Sequence, residues 1–135
     1  MDLLVNLDVD DLDAATRFYG AAFGLTVGRR FGAAGVEMVG SSAPIYLLSK
    51  RSGTAPAPDV EQGRDYARHW TPVHLDFVVD DVDAAVARAL AAGAVLERPV
   101  STSAWGRLAV MADPVGHGFC FVQFLGRGYD ELAQS

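Results

Sequence analysis

The chain has 135 residues and a mass of 14.3 kDa, which suits one domain over residues 1–135. Half of the residues are apolar, but no run approaches the roughly 18 apolar residues of a membrane span, so no membrane partner is expected. The net charge of -6 excludes the basic footprint of a nucleic-acid-binding protein and weakly favours a cationic ligand.

The first predicted elements are a strand over 3–9 and an amphipathic helix that begins after Asp10 or Asp11. Either aspartate can cap the first helical turn, and Gly24 is the expected left-handed C-cap. Strands are then predicted over 26–31, 36–39 and 45–48. These elements give the order βαβββ for a first module over about 3–48. The helix is predicted from apolar residues at three-four spacing, namely Leu12, Ala15, Phe18, Tyr19, Ala22 and Phe23.

A connecting segment is predicted over 49–72. Its first part carries glycines and prolines, as linkers and functional loops do. Its second part, 64–70, carries large side chains and is interpreted as a short helix, a lid or a subunit contact. Arg64 and Arg68 in this part, and Arg107 further along, are anion-binding candidates, although a solvated arginine is the commoner outcome.

A second module repeats the first at an offset of 70 residues. Residues 9–15 return as 79–85 with six of seven identical, and an apolar strand precedes each copy. A helix is predicted from Val82 to a cap at Gly93, followed by strands over 95–99, 108–112 and 119–124. Residues 113–116 predict a type I turn that closes a hairpin, with His117 exposed to water. The second module therefore spans about 73–125, and its aspartates are interpreted as helix caps.

Several short motifs, in this order, resemble the vicinal oxygen chelate superfamily, which includes glyoxalase I, extradiol dioxygenases, fosfomycin-resistance enzymes and bleomycin-resistance proteins. The resemblance implies an α+β fold in which two βαβββ modules in tandem form a curled mixed sheet that encloses a cavity. It also implies a homodimer. The motifs are Asp11-Leu12-Asp13, Arg17-Phe18-Tyr19, Phe23-Gly24-Leu25, Asp113-Pro114-Val115-Gly116-His117 and Phe119-Cys120.

Many members of that superfamily hold a divalent metal ion at four positions, on the first and last strand of each module. Matched to the superfamily pattern, these positions are Leu4 and His74, which are 70 residues apart, Tyr46, and Cys120, which follows Asp113 by seven residues. Leucine offers no ligand atom, and a phenol or lone thiol is a poor substitute for a carboxylate around a hard cation. We therefore expect no metal or other cofactor, and His74 as the ligand if a metal is bound.

The same cavity would contain other candidate residues. Strand alternation places Asp76 on the face of His74, and Asn6 is the counterpart of Asp76 in the first module. Together with Tyr46 and Cys120, these residues are candidates for ligand binding or acid–base chemistry. Trp105 would cap a pocket or pack on a sheet edge, and Trp70 would close the cavity or contact a second subunit.

The expected function is metal-independent binding or sequestration of a small organic molecule in the sheet cavity, similar to the bleomycin-resistance branch. The alternative is a glyoxalase-like lyase, isomerase or dioxygenase. That enzyme would use a displaced metal site, formed by His74 and Asp76 with or without Glu37, or His74 as the acid–base group. With Cys120 as the single cysteine, no internal disulfide can form, and a cytoplasmic location is expected.

Overall fold

The computed structural model describes residues 1–69 and 71–134. Its elements confirm the tandem βαβββ order, with one strand of the second module divided into two short pieces. The first module contains β1 (Val5–Val9), α1 (Leu12–Phe23), β2 (Thr26–Arg30), β3 (Gly35–Val39) and β4 (Ile45–Ser49). The second contains β5 (Leu75–Val78), α2 (Val82–Ala91), β6 (Val95–Leu96), β7 (Ser101–Thr102), β8 (Gly106–Ala112) and β9 (Gly118–Phe124). A 3-10 turn, Gly128–Glu131, follows.

The helices begin where the repeated aspartates predict. The side chain of Asp11 accepts a hydrogen bond from the backbone N–H of Ala14, at 2.9 Å, and Asp81 does the same for Ala84 at 3.1 Å. Each bond satisfies an N–H group that a first helical turn leaves free. The first helix ends at Gly24, whose φ of 67° is left-handed. The aspartates of the repeat are therefore accounted for locally, as caps.

Over the described residues the strands form two mixed sheets, and neither is closed. The first has the order β1-β4-β3-β2, and the second has β5-β9-β8-β6 with β7 added beside β8. In each sheet the first strand of the module is an outer strand that runs parallel to the last one. The predicted mixed sheet is thus present as two open sheets, one in each module.

The two modules share a single hydrophobic core, which lies between the helices and one face of each sheet. Phe23, at the end of α1, packs against Phe77 of β5 and Phe121 of β9, with ring centroids 4.2 Å and 5.5 Å away. The predicted strand over 95–99 is shorter than expected and ends at Leu96. Pro99, which has no N–H to donate to a ladder, interrupts it.

Residues 64–69 of the connecting segment contain no helix, which excludes one of the three interpretations of that stretch. The segment instead packs across the module boundary. Arg64 forms an ion pair with Asp8 of β1, Nε to Oδ2 2.7 Å, and the Tyr66 hydroxyl donates to the Lys50 carbonyl at 2.6 Å. Gly116 leaves room for the backbone of Tyr66, whose carbonyl oxygen would lie 2.2 Å from any added Cβ. The segment is therefore a strap over both modules.

Candidate functional site

Three polar side chains meet on the face of the second sheet that points away from the helices. Asp76 of β5 and Cys120 of β9 are cross-strand partners in a parallel pair, and His74 lies just before β5. The Nε2 of His74 is 3.2 Å from Oδ1 of Asp76. One ligand atom from each of these residues lies within 4.8 Å of the others. The structure thus brings together three of the predicted site residues, which we call the polar cluster.

The thiol of Cys120 is neutral at physiological pH. Burial, followed by the charge and hydrogen bond of Asp76, raises its pKa to about 11. Reactive thiols need the opposite environment, one that favours the thiolate. Cys120 is therefore a weak hydrogen-bond donor to Asp76 and a small apolar surface, which favours ligand binding over acid–base chemistry among the predicted roles of this residue.

A cleft of about 350 Å³ opens over this face, and we call it the concave cleft. Two elements outside the sheet, the strap and the segment between β6 and β7, contribute arginines to its wall. The floor combines apolar side chains with part of the polar cluster. Its lining residues are Arg68, Thr71, His74, Arg98, Leu108, Val110, Gly118, Phe119 and Cys120.

Asn6 lies outside the lining of the concave cleft, but it shares a second pocket with His74. Both line a smaller cavity of about 140 Å³ at the boundary of β1 and β5. A larger cleft, about 560 Å³, lies at the other end of this boundary, where Phe23, Phe77 and Phe121 form apolar walls and Asp76 and Arg88 add charge. The gap between the first strands of the two modules is thus bordered by pockets at both ends.

The corresponding face of the first sheet is occupied by its own side chains. Glu37 of β3 accepts two hydrogen bonds from the guanidinium of Arg29, at 2.7 and 3.0 Å. The hydroxyl of Tyr46 donates to Glu37 and accepts from Arg29, both at 2.9 Å. The Arg29 side chain, and then its backbone N–H, lower the pKa of Glu37 to about 2. The polar side chains that the first module would present to the expected cavity are therefore bonded to each other.

The four metal-binding positions of the superfamily do not fit a divalent ion in this chain. Leu4 is exposed and has no donor atom. Tyr46 contacts the permanently charged guanidinium of Arg29, which repels a second cation. Glu37, proposed as part of a displaced site, is engaged by the same arginine. Among the positions considered, only those of the second module, His74, Asp76 and Cys120, keep side-chain atoms that are free to bind a metal ion.

Neither tryptophan candidate is found in the lining of the concave cleft over the described residues. Trp105 packs near the end of the sheet, with its ring 5.1 Å from Tyr129 and 6.4 Å from Phe124. This arrangement matches the sheet-edge alternative rather than a cap on a pocket. Trp70 lies outside the described residues.

The prediction of an exposed His117 is wrong. Asp113, whose side chain is fully buried, accepts from His117 Nδ1 at 2.9 Å and from the Tyr19 hydroxyl at 2.6 Å. The backbone N–H groups of Val115 and His117 donate to the other oxygen of Asp113. His117 is mostly buried, and both Tyr19 of α1 and the backbone of Tyr66 in the strap lie against the hairpin turn. No local turn pattern could reveal these contacts.

Arg98 also lines the concave cleft, although the sequence analysis does not predict it as an anion ligand. No signal in the sequence distinguishes it from other exposed arginines. Of the arginines considered as anion ligands, Arg64 and Arg107 form ion pairs away from the concave cleft, with Asp8 and Asp83. Arg68 does reach the cleft, where its Nε is 2.6 Å from Glu97.

Comparison with known proteins gives consistent matches. The model of the family described as a glyoxalase-like domain matches residues 4–122. The chain is 36% identical over 115 residues to the putative glyoxylase CFP32 of Mycobacterium tuberculosis, a match that covers 79% of this chain and 38% of that protein. The chain therefore spans about two fifths of the length of this curated relative.

Solved structures show the same fold. TioX from Micromonospora sp. ML1 superimposes with a TM-score of 0.70 at 22% identity, covering 93% of this chain and 99% of its own. A glyoxalase/bleomycin resistance protein/dioxygenase family enzyme from Burkholderia phytofirmans PsJN gives 0.68 at 23% identity, covering 93% and 100%. At such sequence identities, structural similarity establishes the fold and not the activity.

Proposed function

The chain belongs to the glyoxalase-like domain family of the vicinal oxygen chelate superfamily, and from this premise we propose that it binds a small organic molecule in the concave cleft without a metal ion or other cofactor. The asymmetry of the modules carries the proposal. In the first module an internal ion pair, Arg29 with Glu37, fills the face that would complete a shared site. In the second module the concave cleft stays open beside His74 and Cys120.

The composition of the concave cleft suits an organic ligand. Leu108 and Val110 offer apolar surface, and burial of apolar surface contributes about 25 cal/mol per Å². The polar cluster supplies a few directional contacts that orient the ligand, as in most small-molecule sites. Because the thiol is protonated and the carboxylate of Asp76 is an acceptor, the cluster acts by hydrogen bonding rather than by nucleophilic attack.

A thermal-shift screen of organic metabolites in the presence of EDTA tests this proposal. A ligand at 100 times its Kd stabilises the fold by about 2.7 kcal/mol, which is readily measured. We expect stabilisation to persist in EDTA and to fall in His74→Ala. Arg51→Ala is the control, since Arg51 has an exposed side chain that lies outside the lining of the concave cleft. Stabilisation that requires an added metal ion would overturn the metal-independent proposal.

A second candidate function is favoured by the geometry of the polar cluster. The His74–Asp76 contact at 3.2 Å orients an imidazole as in acid–base catalysis, and the nearby thiol completes three potential ligands. A glyoxalase-like lyase, isomerase or dioxygenase could use either feature. Elemental analysis of protein purified without chelators separates the candidates. One equivalent of metal that is lost in Asp76→Asn, but retained in Asp80→Asn, would favour the enzyme.

We further propose that two copies of the chain associate, in the cytoplasm. Four large apolar side chains near β1 and β5 are more than half exposed, and both strands are outer strands of their sheets. Such a surface suits burial against a second copy. Light scattering would show twice the chain mass, and Val78→Lys would reduce it to the monomer. The four residues are Leu3, Leu4, Val73 and Val78.

The structure contains no helix, within residues 1–69 and 71–134, that is long and apolar enough to cross a membrane.

A further inference from the structure

Two arginines from different parts of the chain stand at the wall of the concave cleft. Arg68 comes from the strap, and its position is fixed by Glu97, 2.6 Å from its Nε, and by the carbonyl of His69, which accepts from Nη1. Arg98 comes from the segment between β6 and β7. Within the described parts of the chain, no carboxylate lies at ion-pair distance from Arg98, so its five N–H donors are available.

Gly118 makes room for the first of these arginines. A Cβ at this position would lie 2.3 Å from Nη2 of Arg68, so the guanidinium lies directly over the backbone of β9. Gly118 pairs with Ala112 in the hairpin ladder, and its φ does not require glycine. The glycine is therefore explained by the close approach of Arg68 and not by its own backbone conformation.

The acidic groups near the concave cleft are already engaged. Asp76 contacts His74 at 3.2 Å, and Glu97 contacts Arg68 at 2.6 Å. The charge of Arg98 acts on the thiol of Cys120, where it partly offsets the rise in pKa that burial, Asp76 and, to a smaller extent, Glu97 cause. The positive charge of Arg98 thus reaches the cleft floor without a carboxylate of its own to neutralise it.

We propose that the concave cleft takes a ligand with an apolar body and an oxyanion, a carboxylate, phosphate or phosphonate, which binds to Arg98 with Arg68 beside it. This inference rests on the proposed function and names its ligand class. A planar guanidinium matches such groups with paired hydrogen bonds. The apolar body would lie on Leu108 and Val110. The two arginines at the cleft wall therefore favour an anionic group locally, whereas the net charge alone suggests a cationic ligand.

The test compares probes of one shape and different charge, namely benzoate, benzamide and benzylamine, with phenylphosphonate as a second oxyanion. Kd values come from ¹H–¹⁵N NMR titration, which also locates the site through shifts at Val110, Gly118 and Cys120. We expect both anions to bind there about ten to a hundred times more tightly than benzamide, the range for hydrogen bonds to charged groups. Arg98→Gln should remove that preference without weakening benzamide, and Arg98→Lys should restore part of it.

Gly118→Ala gives an independent variant, because its Cβ displaces only the flexible end of Arg68. It should weaken both anions while leaving the fold intact. Arg51→Gln is the matched control, an exposed arginine outside the cleft, and should change nothing. Equal binding of benzoate and benzamide, or failure of both anions to bind at these amides, would overturn the oxyanion inference. Binding of benzamide or benzylamine at these amides would still support the proposed function. Chemical-shift changes centred on Phe77 would count against both the proposed function and the oxyanion inference.

Discussion

The buried hydrogen bond between Tyr19 and Asp113 joins the helix of the first module to the hairpin of the second. The hydroxyl of Tyr19 lies 2.6 Å from Oδ2 of Asp113, whose side chain has no exposure to solvent. Burial, and then the charge of Asp113, raise the pKa of Tyr19 well above its ordinary value, so the hydroxyl remains a donor. Tyr19→Phe removes this donor and changes little else in shape.

The expected cost follows from what remains around Asp113. Hydrogen bonds to charged groups contribute about 1.5–3 kcal/mol to folding. Three other donors stay on the carboxylate, from Val115 and His117. The loss should therefore be near the lower end, about 2 kcal/mol. With about 2.1 cal/mol/K of unfolding entropy per residue, 135 residues give about 0.28 kcal/mol/K, and Tm falls by about 7 °C.

Urea unfolding at pH 7 measures the free energy of unfolding of both forms. Tyr129→Phe is the matched control, because Tyr129 is half-exposed and sits near the end of the chain. It should change stability by less than about 0.5 kcal/mol. If Tyr19→Phe costs no more than this control, the bond does not stabilise the junction of the modules and the reasoning is wrong.

Three further predictions concern ionisable groups. Burial lowers the pKa of His117, but the hydrogen bond and charge of Asp113 outweigh it and raise the pKa overall. His117→Gln should therefore lower the free energy of unfolding most in acid, at an assay pH of about 5.5 that lies below the unfolded-state pKa of histidine. The loss should shrink as the pH rises through the folded-state pKa, and urea unfolding measures it at each pH. Arg29 holds the pKa of Glu37 at about 2, so Glu37→Gln should destabilise the protein above about pH 5 and not near pH 2. The thiol of Cys120 should react with a disulfide reagent at pH 7.5 far more slowly in the folded protein than in urea, since its pKa is about 11; equal rates would contradict its burial.

Local patterns predicted most of the fold. The repeated aspartates mark both helix starts because an N-cap contact spans only three residues, as in Asp11 with Ala14. Strand alternation placed His74 and Asp76 on one face, and the match to the superfamily pattern placed Cys120 in the same cavity, where the structure pairs it with Asp76. These relations depend on periodicity and register, which a single sequence contains.

Longer-range contacts escaped prediction. Arg29 and Tyr46 are 17 residues apart, and Tyr19 and Asp113 are 94 apart. Many alternative partners are compatible with such separations, and only the packing of the helices and sheets selects one. The exposure assigned to His117 failed for this reason.

The sequence by itself determined the family, the two modules and the absence of the usual donor at Leu4, because these depend on residue identity and spacing. Only the tertiary structure decided the charge and openness of the candidate site. Folding pairs Arg29 with Glu37 in one module and leaves Arg98 without a carboxylate in the other, within the part of the chain that the structure describes. Charge at a site depends on which groups are brought within a few ångströms of each other, and that distance does not follow from composition.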